Sequence, residues 1–148
     1  VKHRIQVVRE VNGVTYIDDS KGTNVDAALK AAQSMTKPTV ILLGGKDKGD
    51  DYVPLFEGLS SSPVIHAVIY GENRFKMLSA AIKTGFVGFS LCSEFSAAVM
   101  LAQFIAKPDQ NVLLSPASSS FDSFLNYEER GDAFKEIVDE IDENVQSE

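Results

Sequence analysis

The chain has 148 residues, a length that favours one domain whose core needs no disulfide or metal staples. Its formal net charge of -7 and pI near 4.8 argue against nucleic acid as the main partner, because neutralising a phosphate backbone takes a basic surface. No apolar run approaches the ~20 residues that span a bilayer, which argues against a membrane partner. A single cysteine, Cys92, excludes an internal disulfide and fits a reducing, cytoplasmic setting.

The chain opens Val1-Lys2-His3-Arg4 without a methionine, as expected of a domain cut from a longer protein. Arg4 to Glu10 alternates loosely and is rich in Val and Ile, which predicts a strand. Asn12-Gly13 suits the positive-φ positions of a tight hairpin, and Val14 to Ile17 predicts the returning strand. Asp18-Asp19-Ser20-Lys21-Gly22-Thr23-Asn24 follows as a polar loop, with Thr23 or Asn24 placed to cap a helix. That helix, Val25 to Met35, carries Val25, Ala28, Leu29, Ala32 and Met35 on one face.

A strand–loop–helix pattern then recurs. Val40 to Leu43 is a continuous apolar run, as expected of a strand buried on both faces, and it leads into Gly44-Gly45-Lys46-Asp47-Lys48-Gly49. A helix is predicted around Pro54 to Leu59, a strand over Val64 to Tyr70, and a helix presenting Phe75, Leu78 and Ile82. Phe86 to Phe89 reads as a short strand and Ser93 to Ala106 as an apolar helix. Val112 to Leu114 is the last strand and runs into Ser115-Pro116-Ala117-Ser118-Ser119-Ser120-Phe121-Asp122. A final helix presents Phe134, Ile137, Val138 and Ile141, and the acids from Glu128 to Glu148 read as a solvated face and a fraying tail. The pattern predicts one α/β domain: a mostly parallel, Rossmann-like sheet with one antiparallel edge strand and helices on both faces.

Ligands of such sheets bind beyond the C-terminal ends of the strands, and all three polar loops leave from that end. The first offers Lys21 and two hydroxyls at a helix N-terminus, an arrangement suited to anions. The second is no Walker A loop, since Gly-Lys-Ser/Thr occurs nowhere in the chain, and alone it reads as a solvated charged turn. The third supplies a run of hydroxyls and small residues, with Tyr127 nearby. Neither histidine has an evident nucleophile to serve, His66 reads as a satisfied core residue, and adjacent Asp18 and Asp19 read as solvated acids or as ligands of a ribose or Mg²⁺. From the residues alone the chain is an anion-binding domain with no catalytic residue and no metal site of its own.

In these motifs the chain resembles the C-terminal domain of the Mur ligase family, over nearly its whole length. The likeness rests on His3-Arg4, Asn12-Gly13 through Asn24, Gly44-Gly45 through Lys48, Leu114 through Asp122, and Phe124 with Asn126 through Gly131 and Phe134. The Ser-Pro-Ala, Ser-Phe-Asp and Glu-Arg-Gly series points to the branch that adds D-glutamate. The resemblance implies an ATP-dependent, amide-forming ligase of peptidoglycan synthesis that joins D-glutamate to UDP-N-acetylmuramoyl-L-alanine through an acyl phosphate. It implies that Thr23, Lys48, Ser120, the backbone at Phe121 and Tyr127 hold D-glutamate, and that Arg4, Asp19, Lys21 and Asn24 face ATP. ATP and Mg²⁺ would be bound mainly by a central domain, which with the N-terminal domain lies outside this chain. Gly22, Ser118-Ser119 and Tyr127 depart from the family pattern conservatively. A sister ligase for another amino acid, or a stand-alone anion-binding module, stays open as an alternative.

Overall fold

The structure is a computed structural model that describes residues 1–143, so the end of the acidic tail lies outside the described residues. Six strands alternate with five helices: β1 (Gln6–Val11), β2 (Val14–Asp18), α1 (Val25–Gln33), β3 (Thr39–Gly44), α2 (Val53–Leu59), β4 (Val64–Tyr70), α3 (Arg74–Thr84), β5 (Phe89–Leu91), α4 (Phe95–Ile105), β6 (Asn111–Leu114) and α5 (Tyr127–Asp139). Asn12 (φ 56) and Gly13 (φ 81) form the tight turn between β1 and β2, the one antiparallel pair.

The strand order is β1-β2-β6-β3-β4-β5. The crossovers from β2 to β5 run in one direction across the sheet and place α1, α2 and α3 on one face. The crossover from β5 to β6 runs back, so the right-handed rule puts α4 on the opposite face, where α5 joins it. Alternation along β3 divides the core accordingly. Ile41 and Leu43 pack against α1 to α3, while Val40 and Leu42 pack against α4 and α5.

Three expectations are corrected. The fifth strand is Phe89–Leu91 rather than Phe86 to Phe89, because Phe86 turns inward to stack on Phe56 and pairing with β4 begins at Phe89. Helix α3 buries Met77, Ala80 and Ala81 and leaves Phe75 and Ile82 exposed. Small residues let that helix lie close to the sheet, and Arg74 stacks over the outward Phe75 ring at 4.7 Å. His66 is half-buried at the β4–β5 edge, outside the core, with Nε2 2.8 Å from Ser90 Oγ. Burial holds its pKa below the ordinary value.

Gly44 ends β3 where no side chain fits. A Cβ there would lie 1.7 Å from Tyr70 O, at φ 125. Gly49, at φ 83, has open space around it. Gly44→Ala should therefore cost ~4 kcal/mol or prevent folding, whereas Gly49→Ala should cost about 1 kcal/mol from backbone strain alone. Urea denaturation of the two variants checks the difference.

Candidate functional site

Because β6 returns between β2 and β3, the three polar loops issue side by side from the strand C-termini, where the strand order reverses. Backbone hydrogen bonds join them: Ala117 N donates to Gly22 O at 2.9 Å, Gly44 N to Pro116 O at 3.0 Å, and Lys46 N to Ser119 O at 3.0 Å. Asn24 caps α1, its side chain accepting from Ala27 N at 2.9 Å.

The two acids of the first loop are not solvated. Asp18 is fully buried, with Oδ2 2.6 Å from His3 Nδ1 and 3.8 Å from Lys135 Nζ, and Oδ1 accepting from Ser20 N. Asp19 is also buried; Oδ1 accepts from Ile5 N at 3.1 Å and Oδ2 from Ser115 Oγ at 2.6 Å. Burial pushes the Asp19 carboxyl above its ordinary 3.8, against the pull of those two hydrogen bonds. The expectation of two solvated acids is overturned because the N-terminal segment folds over them. His3 (φ 64) and Ile5 (φ 44) bend that segment, and His3 O accepts from Lys21 N at 3.0 Å.

That clamp places Arg4 opposite the first loop. A cleft of about 310 Å³ results, lined by Arg4, Ile5, Asp19, Lys21, Gly22, Asp26, Ala27 and Lys30. Three of the four residues expected to face the nucleotide therefore share one cavity. Asn24 lies outside it, in a shallower acidic recess with Asp26, Asp50 and Asp51.

The residues expected to hold the amino acid lie on the adjoining part of the edge rather than in one enclosed cavity. In the second loop Lys46 pairs with Glu72 at 3.6 Å and Asp47 with Lys76 at 3.4 Å. Lys48 is exposed, without an ion pair among the described residues. Thr23 is half-buried, Ser120 is buried, and Phe121 is 68% exposed. Tyr127 opens α5, edge-on to His3 with ring centroids 6.2 Å apart, and its carbonyl accepts from Ser20 Oγ at 2.7 Å. Among the described residues no three His, Cys, Asp or Glu side chains gather at one point.

Sequence reasoning underrated Arg130 and missed Asn73. The Arg130 guanidinium is fully buried and donates to Ser20 Oγ at 2.9 Å, Ser20 O at 2.6 Å and Ser118 O at 2.9 Å. Burial lowers its pKa, countered by Tyr70, Asp122 and Asp18, while burial raises the Tyr70 hydroxyl to about 12. The Glu-Arg-Gly run signalled Arg130, but nothing in the sequence pointed to the fully satisfied amide of Asn73.

The same fold occurs in solved ligases and synthases. A murein peptide ligase from Psychrobacter arcticus superposes with a TM-score of 0.68 at 12% identity, covering 95% of this chain and 30% of that one. A bifunctional folylpolyglutamate synthase/dihydrofolate synthase from Yersinia pestis, complexed with AMPPNP and a Mn ion, gives 0.63 at 17% identity over 93% of this chain and 32% of that one. The family model described as the Mur ligase, glutamate ligase domain matches residues 3–118, and the chain belongs to that family. A curated UDP-N-acetylmuramoylalanine–D-glutamate ligase from Pelotomaculum thermopropionicum is 45% identical over 93% of this chain and 30% of its own length. The chain thus spans about a third of the curated relatives it matches.

Two expectations follow from the buried charges. A carboxyl whose folded pKa exceeds its unfolded one costs stability, absent below the unfolded value and complete above the folded one. Asp19→Asn removes that cost, so its stability relative to wild type should rise from about pH 3 to pH 7, read by urea unfolding. A flat difference would overturn the burial account. Arg130→Met should lose roughly 3–5 kcal/mol in the same measurement, because two buried carbonyls lose their charged donor.

Proposed function

We propose that this chain is the amino-acid-binding third of an ATP-dependent ligase that joins D-glutamate to UDP-N-acetylmuramoyl-L-alanine. The observation that carries the reading is the pairing, at one sheet edge, of a cleft holding Arg4, Lys21 and Asp19 with an exposed lysine that has no ion pair among the described residues, in a chain of this family. In the cleft, Arg4 and Lys21 would offset phosphate charge and the Asp19 carboxylate would accept from a ribose hydroxyl. Beside it, Lys48 would neutralise a D-glutamate carboxylate, with Thr23, Ser120, the Phe121 N–H and Tyr127 fixing its orientation.

In the reaction, the terminal phosphoryl group of ATP passes to the muramoyl-alanine carboxylate. The amine of D-glutamate attacks the acyl carbon of that phosphate and gives up a proton to solvent, the amide forms, and inorganic phosphate leaves with the bonding pair. The N-terminal and central domains of the full ligase would hold the uridine nucleotide, the phosphate loop and Mg²⁺. This chain's part is to neutralise and orient the incoming amino acid, which lowers the entropic barrier to attack.

In the full-length ligase, Lys48→Ala should raise KM for D-glutamate roughly 10–100-fold with KM for ATP within about twofold, the loss of one charge-assisted contact. Arg4→Ala should raise KM for ATP instead. Initial-rate kinetics over both substrates, with L-glutamate and L-lysine as competitors, tests the assignment. Equal effects on both KM values would overturn it.

A further inference from the structure

Asn73 stands just before α3, where an asparagine ordinarily turns back to cap the helix, yet its side chain makes no capping bond. It is 1% exposed and aimed at the junction of the second and third loops. Oδ1 accepts from Gly45 N at 2.9 Å, and Nδ2 donates to Tyr52 Oη at 2.7 Å and Ser118 Oγ at 2.8 Å. Its backbone N donates to Gly45 O at 3.0 Å. The Gly45 N–H fixes the amide's orientation, since only the oxygen can accept from it.

The residue before it braces the same two loops from outside. Glu72 Oε1 accepts from Asp47 N at 2.8 Å, and Glu72 N donates to Asp122 Oδ2 at 3.2 Å. Gly45 begins the loop that carries Lys48, and Ser118 begins the run that carries Ser120 and Phe121. Among the described residues no hydrogen bond of Asn73 reaches Arg4, Asp19 or Lys21.

We propose that Asn73 is a positioning residue for the amino-acid side of the site: it forgoes its helix cap to set the spacing between the Lys48 loop and the Ser120 loop. The inference rests on the function proposed above. The Asn73 partners Gly45 and Ser118 carry the second and third loops, while the first loop is held separately by Arg130 and Ser115, so the loss of Asn73 should act first on the amino-acid constant. A residue that only supports the fold would lower stability and leave the ratio of the two KM values unchanged.

The test uses the full-length ligase. Asn73→Asp keeps the acceptor for Gly45 N but puts a buried charge where both donors were, reversing the bonds to the Tyr52 and Ser118 hydroxyls; it should raise KM for D-glutamate roughly tenfold with KM for ATP within about twofold. Tyr52→Phe removes one hydroxyl partner and should move the same constant two- to threefold in the same direction; it decides the matter where the Asn73 variant does not fold. Unchanged KM for D-glutamate, or an equal rise for ATP, overturns the proposal. Lys48→Ala in the same assay separates the two levels. If it moves KM for D-glutamate and Asn73→Asp does not, only the positioning role fails. If Lys48→Ala has no effect, the amino-acid site itself is misplaced and both readings fall.

Discussion

The site depends on one buried charge. Arg130 is fully enclosed, and its guanidinium spends its donors on the Ser20 hydroxyl and carbonyl of the first loop and the Ser118 carbonyl of the third. A guanidinium removed from water is tolerated only when such donors are matched and compensating charge lies near, which Asp18 and Asp122 supply. The planar fork suits this task, since its donors reach loops that arrive from different directions. Arg130 belongs to α5, which follows the third loop in sequence, so the last helix locks the edge from which the loops emerge.

The second constraint is topological. Placing β6 between β2 and β3 brings together loops that are nearly a hundred residues apart in sequence. The edge then divides. On one side the N-terminal segment folds over Asp18 and Asp19 and closes a cleft with Arg4, Lys21 and Lys30. On the other, the second and third loops are cross-braced by Glu72 and Asn73 and leave Lys48 and Phe121 facing outward. A half-open cleft lined by three cations and two carboxylates thus adjoins an exposed face whose loops are cross-braced. Rigidity matters because a loosely held donor loses orientation before it loses contact.

Local chemistry made the element types legible. Asn12-Gly13 predicted the hairpin, continuous apolar runs predicted the central strands, and the alternation of strands with helices predicted a parallel sheet covered on both faces. The α3 face was misread because Phe75 and Ile82 outweigh Ala80 and Ala81 on any hydrophobic scale. Close packing against the sheet selected for size instead. The cation-lined cleft was partly legible, since Asp19 and Lys21 share one loop with a helix start.

By itself, then, the sequence determined the class of fold, the edge that carries the polar loops, and membership of the Mur ligase family, because each is written in short local motifs that recur in order along the chain. Only the tertiary structure decided that Asp18 and Asp19 are buried, that His3 pairs with Asp18, and that Asn73 faces the loops instead of its helix. Those outcomes depend on groups that meet from 14 to 96 residues apart in the chain. A polar side chain carries no local mark of whether its partner will be water or a distant loop. That choice is made when the sheet closes and the desolvation of each group must be matched.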